Sequence, residues 1–344
     1  MAAEATAVAA CPACGAAVGA QATFCEACGH ELSLPAPTGT GAPAGEAAAG
    51  RWLTSTGGPT ACPGCGGTAF DEDEYCETCG QRRPVALDHR ELDLEIVAGV
   101  TDRGVRHTRN EDAMGLGVAP GVQVGIVCDG VSSSTRPDAA AHAAVEAATP
   151  AVLAELAEGH PPGEAITTAA GAAQAAAALV AGRAPGANPP SCTFVCAVLK
   201  GDMVTVGWVG DSRAYWLPDD GAAERLTADD SLAGRLAAAG VQSAEIAQNR
   251  SASALVRWLG ADAPDAVPHL RAFQPPGPGR VLVCSDGVFR YRPEAAELAE
   301  LMPDKPPLDT ARDLVAFALD QGGHDNITAV VLTYPPGAEE DIKT

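Results

Sequence analysis

In the C-terminal two-thirds of this 344-residue chain, acidic residues recur at the ends of apolar runs. Val127-Cys128 runs into Asp129-Gly130, Trp208-Val209 into Gly210-Asp211-Ser212-Arg213, and Val283-Cys284 into Ser285-Asp286-Gly287. Asp325-Asn326 precedes the run from Ile327 to Leu332, and Glu111-Asp112 follows an arginine-rich stretch. A single Asp-Gly after a strand is usually only a turn. Five such sites in one region can converge on one rim of a sheet sandwich. Clustered carboxylates repel one another unless a hard cation neutralises them, and oxygen ligands suit magnesium or manganese.

The runs themselves predict strands at Val122–Cys128, Phe194–Leu199, Val204–Val209, Val281–Cys284 and Ile327–Leu332. Alternation around Leu94, Ile96 and Ala98 predicts one further, half-buried strand. Helices are expected over Pro137–Glu158, Glu164–Ala181, Ser231–Ala239 and Asp309–Gln321, the last with Asp309 as N-cap and Gly322 as its stop. Strands and helices do not strictly alternate, which favours a layered α+β fold over a doubly wound parallel sheet.

The N-terminal third carries a repeat. Cys11-x-x-Cys14 and Cys25-x-x-Cys28 recur as Cys62-x-x-Cys65 and Cys76-x-x-Cys79, and Gly15, Gly29, Gly66 and Gly80 follow the four pairs. Two such knuckles supply the four thiolates of a closed tetrahedral zinc site. The glycines permit the positive φ that turns backbone N–H groups toward sulfur. One pair alone could be a redox motif, but four at repeated spacing with no surrounding βαβ pattern argue for two structural zinc ions. Each unit is too small to bury a core, so metal supplies its folding energy. The reading is a first ribbon over 1–34, a flexible Pro/Gly/Ala-rich linker over 35–60, a second ribbon over 61–84, a short linker over 85–93, a large domain over 94–335 and an acidic tail over 336–344. Cys128, Cys192, Cys196 and Cys284 lie in apolar runs and read as buried, inert thiols.

The net charge of −22 argues against a nucleic-acid surface. The first 93 residues share that bias, with four Arg and no Lys against twelve acidic residues. No basic segment opens the chain, and the alanine-rich stretch Ala165–Gly182 is broken by Thr167, Thr168 and Gln174, so a cytoplasmic protein without a membrane span is expected.

Seven ordered motifs carry a family resemblance: TDRGVRHTRNEDA from Thr101, VCDGV from Val127, GWVGDSRAY from Gly207, LTADDS from Leu226, VRWLG from Val256, VCSDG from Val283 and GGHDNIT from Gly322. Together they resemble the bacterial type 2C (PPM) metal-dependent serine/threonine phosphatases over roughly 94–334. The resemblance implies a four-layer α-β-β-α sandwich with metals at one end and a mobile flap over 231–257. It makes Asp129 the carboxylate bridging two Mn²⁺ or Mg²⁺ ions, with Asp286 and Asp325 completing one ion and Glu111 and the Gly130 carbonyl holding the other. Asp112 would orient the attacking water, and Asp211 would share a weaker third ion with Asp286. The N-terminal segments resemble zinc ribbons attached to bacterial signalling proteins. Implied substrates are phosphoproteins made by a serine/threonine kinase, with a protein partner for the ribbons. A non-catalytic binding module on the same fold is the alternative.

Two positions depart from the family pattern. An arginine that contacts phosphate commonly stands three residues after the motif glycine, where Gly104 leads to His107; Arg106 and Arg109 flank it, so the phosphate contact stays open among the three. Ser132-Ser133 replaces the usual glycine pair after DGV.

Overall fold

The computed structural model describes residues 9–10, 17–18, 44–47, 50–56, 65, 69, 71, 75–80, 88–182, 187–246, 248–249, 251–263, 266–302 and 305–334. The chain divides into residues 1–41 and 42–344. In the first unit, β1 (Ala9–Ala10) pairs antiparallel with β2 (Ala17–Val18). Cys11, Cys14, Cys25 and Cys28 lie outside the described residues, as does Cys62 of the second unit.

The second unit opens with β3 (Ala44–Ala47), β4 (Gly50–Thr54), β5 (His89–Asp93), β6 (Val97–Asp102), β7 (Asp112–Ala119) and β8 (Val122–Asp129). Helices α1 (Pro137–Ala157) and α2 (Pro162–Val180) follow, then β9 (Ser191–Cys192), β10 (Phe194–Lys200), β11 (Met203–Val209), β12 (Arg213–Pro218) and β13 (Glu224–Arg225). Next come α3 (Leu232–Ala238), α4 (Ser243–Ile246), β14 (Leu259–Gly260), β15 (His269–Phe273) and β16 (Gly279–Cys284). The short helices α5 (Asp286–Phe289) and α6 (Ala295–Ala299) precede α7 (Pro307–Asp320) and β17 (Ile327–Tyr334).

Two antiparallel sheets form the centre, in the orders β15-β11-β10-β8-β7-β4-β3 and β13-β12-β16-β17-β6-β5. Side chains alternate between layers with the two-residue period of a strand. Val195, Ala197 and Leu199 face the space between the sheets with Val283, Val330 and Leu332, while Phe194, Cys196 and Val198 face α1 and α2. Leu282, Ala329 and Val331 face the other way, against Leu314, Val315 and Ala318 of α7. Central strands are therefore apolar on both faces, which is why they read as continuous runs. The result is the expected α-β-β-α sandwich.

Four local readings need correction. The single strand expected around Leu94 is a hairpin: β5 and β6 pair from His89↔Asp102 to Asp93↔Ala98, and Leu94–Ile96 is the turn between them. Glu95 takes φ 71° there, and its N–H donates to Asp93 Oδ1 at 2.7 Å. β7 escaped the apolar-run reading because its glycines interrupt the pattern. A Cβ on Gly115 would stand 2.2 Å from Thr149 Oγ1 and one on Gly117 2.9 Å from Leu153 Cδ1, so both glycines admit α1 close to the sheet. The N-cap of α7 is Pro306, with Asp309 in the first turn; Gly322, at φ 117°, does end the helix.

The fourth correction is the largest. Part of the expected linker is sheet: β4 pairs with β7 from Arg51↔Val118 to Thr54↔Gly115. The Ser55 N–H donates to the Met114 carbonyl at 2.8 Å, and Ser55 Oγ accepts the Met114 N–H at 2.9 Å. Thr54, Ser55 and Thr56 are buried, and Trp52 packs on the helix-facing core. Composition to Gly50 favours a linker, but Trp52, Leu53 and Thr54 are strand formers. We expect Leu53→Pro, which removes a ladder N–H, to lower the thermal midpoint by roughly 5–10 °C. An unchanged midpoint would show that β4 adds nothing to the sandwich.

Candidate active site

The strand ends bring the acidic residues together. Asp129 ends β8 directly across from Asp112, which starts β7. Asp286 follows β16, Asp325 precedes β17, and Asp211 sits between β11 and β12. Asp129, Asp211, Asp286 and Asp325 line one cleft of about 660 Å³ together with Gly130, Ser132, Thr193 and Arg290. The cleft wall continues over Ser253, Ala254 and Leu255, from the segment expected to be a flap. That segment is tied at its base, where the Leu232 and Ala233 N–H groups donate to the Ala254 and Ala252 carbonyls.

Hydroxyl and amide groups hold the Asp112 carboxylate and the backbones of Asp129 and Glu111. Asp112 Oδ2 accepts from Ser285 Oγ at 2.7 Å and Thr328 Oγ1 at 2.6 Å. Its Oδ1 is buried without a hydrogen-bond partner. Thr193 Oγ1 accepts the Asp129 N–H at 3.0 Å, and Asn326 Oδ1 accepts the Glu111 N–H at 2.8 Å. Asn326 Nδ2 donates to the Arg103 and Arg109 carbonyls, clamping the loop before β7 to the loop before β17. Gly104, at φ 72°, makes that approach: a Cβ there would lie 2.1 Å from the Asp325 carbonyl oxygen.

Burial and like charge act in one direction. Asp112 is pushed up to about 7, first by loss of water and then by Asp286 and Asp325, against its two hydroxyl partners. Burial, followed by Asp286 and Asp229, lifts Asp211 to about 7. Asp286 rises to about 6 through burial and Asp325, with Arg290 opposing. Burial and then the charges of Asp112, Asp286, Asp211 and Asp325 hold Asp129 well above the usual carboxylate range. The donors are hard oxygens, opposed among the described lining residues by the single basic side chain Arg290, which fits a divalent cation. Among the described residues, however, the only three ligand atoms all within 4.8 Å of one another are the thiols of Cys65, Cys76 and Cys79; the cleft carboxylates are spaced more widely.

The family model for protein phosphatase 2C matches residues 102–310, more than half of the chain. The chain belongs to the protein phosphatase 2C family. A double zinc ribbon model matches residues 11–80. A serine/threonine phosphatase stp of Listeria innocua is 34% identical over 148 residues, covering 42% of this chain and 57% of the relative. The serine/threonine protein phosphatase PstP of Mycobacterium tuberculosis is 27% identical over 241 residues, covering 68% of this chain and 44% of the relative. The chain thus spans about half the length of these relatives. A crystal structure of the catalytic domain of a serine/threonine protein phosphatase PstP, in complex with two manganese ions, superposes with a TM-score of 0.53. It is 25% identical, and the match covers 69% of this chain and 96% of that one.

Within this family frame, the remaining candidate residues divide. Glu111 stands behind the cleft, its Oε2 accepting from Ser132 Oγ at 2.8 Å and its Oε1 3.4 Å from Arg109 Nε. Ser132, a departure from the family pattern, thus occupies one oxygen of Glu111. His107 Nε2 lies 3.0 Å from Asp325 Oδ1. Arg106 reaches toward His324 Nε2 at 3.5 Å, and Arg109 Nη1 lies 3.8 Å from Asp138 Oδ1. None of these three lines the cleft, whereas Arg290, unmarked by any sequence motif, does. Thr193 lies in no motif, and Ser285, Asn326 and Thr328 lie inside VCSDG and GGHDNIT, where only the folded contacts show which groups they hold.

In the second ribbon, Cys65 Sγ lies 3.5 Å from Cys76 Sγ. Gly80 takes φ 72° and donates its N–H to the Cys76 carbonyl, as the glycine after the knuckle requires. The apolar-run cysteines Cys128, Cys192, Cys196 and Cys284 are all buried, and burial pushes the thiols of Cys128, Cys196 and Cys284 up. Among the described residues, no helix is long and apolar enough to cross a membrane.

The raised carboxyls set a testable pH dependence. Asp112, Asp211 and Asp286 titrate at about 7, 7 and 6 when folded, against about 4 in an unfolded chain. Between about pH 4 and 7 the folded state binds more protons, so without cations these groups cost stability progressively as pH rises through that window. A divalent cation replaces the protons. We expect manganese to raise the thermal midpoint more at pH 7.5 than at pH 5.5, relative to chelator; equal shifts would contradict this.

Proposed function

We propose that this chain is a metal-dependent phosphatase acting on phosphoserine and phosphothreonine in proteins. The observation that carries the reading is the convergence of Asp129, Asp211, Asp286 and Asp325 on one cleft, the first three in surroundings that disfavour their charge, in a member of the protein phosphatase 2C family. Asp129 would bridge two Mn²⁺ or Mg²⁺ ions, with Asp286 and Asp325 on one and Glu111 and the Gly130 carbonyl on the other; Asp211 and Asp286 would share a weaker third. When bound, such ions lower the pKa of water and stabilise charge developing on a transferred phosphoryl group.

The chain's own groups do the rest. Asp112 directs water through Oδ1, because Oδ2 is committed to Ser285 and Thr328. Asn326 and Thr193 fix the backbones of Glu111 and Asp129, so the carboxylates keep their positions as substrate enters. The cysteines beside the acids, Cys128 and Cys284, are not nucleophiles: both are buried with raised thiol pKa. The residues of all four carboxylates named for the two ions are present, which argues for catalysis over a non-catalytic binding module. The substrates are phosphoproteins of a cytoplasmic serine/threonine kinase.

We further propose that the cysteines hold two structural zinc ions, one in each ribbon, and that the ribbons engage a protein partner rather than nucleic acid. The clustering of Cys65, Cys76 and Cys79 supports the second site, with Cys62 as fourth ligand.

Turnover of a phosphothreonine peptide should require manganese or magnesium and fall by orders of magnitude in Asp129→Asn and Asp286→Asn. Unchanged activity in Asp129→Asn, or full activity in excess chelator, would sink the mechanism. Metal analysis should find two zinc ions per chain. Because the second ribbon lies between β4 and β5, Cys76→Ser should lose one zinc and lower the midpoint of the sandwich, whereas Cys11→Ser should lose one zinc and leave that midpoint in place. A protein with no zinc would return the Cys-x-x-Cys pairs to the redox reading.

A further inference from the structure

We propose that Arg290 is the guanidinium that grips the substrate phosphate, a role that rests on the phosphatase reading above. The cleft presents five aspartates, Asp129, Asp211, Asp262, Asp286 and Asp325, and Arg290 is the one basic side chain among its described lining residues. A phosphate dianion entering so acidic a cleft meets repulsion that cations must offset. Metal ions supply part of that charge. A planar, always-charged fork supplies the directional hydrogen bonds.

Arg290 is built for that reach. Its backbone caps α5, donating its N–H to the Asp286 carbonyl at 2.9 Å. The adjacent Phe289 is buried, with the Arg213 guanidinium carbon 3.7 Å from its ring centroid. Arg213 is in turn locked to Asp229 by two hydrogen bonds of 3.0 and 2.7 Å. The root of the Arg290 side chain is therefore fixed, while the side chain itself is half exposed. Its Nη1 lies 3.7 Å from Asp325 Oδ2 and 4.0 Å from Asp286 Oδ2. Both distances exceed a hydrogen bond, so the fork is drawn over the carboxylates without being spent on them.

The three candidates from the first motif are placed otherwise. His107 is turned to Asp325, Arg106 to His324, and Arg109 to Glu111 and Asp138. Arg290 comes instead from the segment after SDG, not from the one before NED. The phosphate contact has moved from one strand-end loop to another.

The test uses the full chain with saturating manganese. Arg290→Ala should raise KM for a phosphothreonine peptide and for p-nitrophenyl phosphate by about tenfold or more, with kcat within about threefold. Arg290→Lys should recover part of that loss, since it restores charge but not the fork. Inhibition by orthophosphate should weaken in parallel with KM. An unchanged KM and orthophosphate inhibition constant in Arg290→Ala would overturn the proposal. So would a larger KM effect from His107→Ala, or an effect confined to the manganese concentration needed for half-activation. Should the wild-type chain show no manganese-dependent turnover, the phosphatase reading fails by itself. Calorimetric binding of the phosphothreonine peptide, expected to be lost in Arg290→Ala, then still decides the role of Arg290.

Discussion

Like charges held close together in poor solvent are unstable unless something forces them there, and at the rim of this sandwich the fold supplies the force. Asp112 and Asp129 are cross-strand neighbours, so the β7–β8 ladder sets their separation whatever their charge. Asp286 and Asp325 are tied in the same way through β16 and β17, paired from Gly279↔Tyr334 to Cys284↔Ala329. The first pair sits on, and the second just beyond, strands buried on both faces, with Ile126, Val127, Val283 and Val330 fully enclosed. Relaxing the repulsion would mean breaking ladder and core together. The hydroxyls of Ser285 and Thr328 then orient the Asp112 carboxyl group, and Thr193 holds the backbone of Asp129, so the oxygen donors of the rim are set in place by the fold.

Much of this was legible in the sequence because it rests on period and punctuation. Residues 194–199 and 281–284 are apolar throughout, and 327–332 is apolar but for Thr328, since each sheet is covered on both sides; Asp286 and Asp325 beside the last two runs mark the rim. What escaped was whatever depends on contact with another element. β7 looks too rich in glycine to be a strand until α1 is seen lying against Gly115 and Gly117. β4 follows a linker-like composition and becomes a strand only because β7 offers it an edge. Asp93 and Glu95 hide a turn inside an alternating pattern, because the turn needs a positive φ at a glutamate. Arg290 was invisible as a site residue for a related reason: no motif names it, and only the folded cleft shows it to be the one basic side chain among the described lining residues.

The strand β4 also changes how the cysteine-rich region relates to the rest of the chain. β4 belongs to the seven-stranded sheet and β5 to the six-stranded sheet, and the second ribbon lies in the segment that joins them. It is thus an insertion between two strands of the sandwich rather than a module preceding it. Hydrogen bonds from Ser55 to Met114 bring that segment to within two residues of Asp112 along β7. A cluster of thiols and a cleft of carboxylates are therefore carried by one folded unit, two donor sets whose chemistry would sort soft metals from hard ones.

That sorting is open to direct measurement. Anomalous diffraction from crystals of the full chain grown with manganese and zinc, collected at both absorption edges, would locate each metal. The account places manganese in the cleft among Asp129, Asp286 and Asp325 and zinc at Cys65, Cys76 and Cys79. Manganese absent from the cleft, with the aspartates still spaced apart, would contradict it.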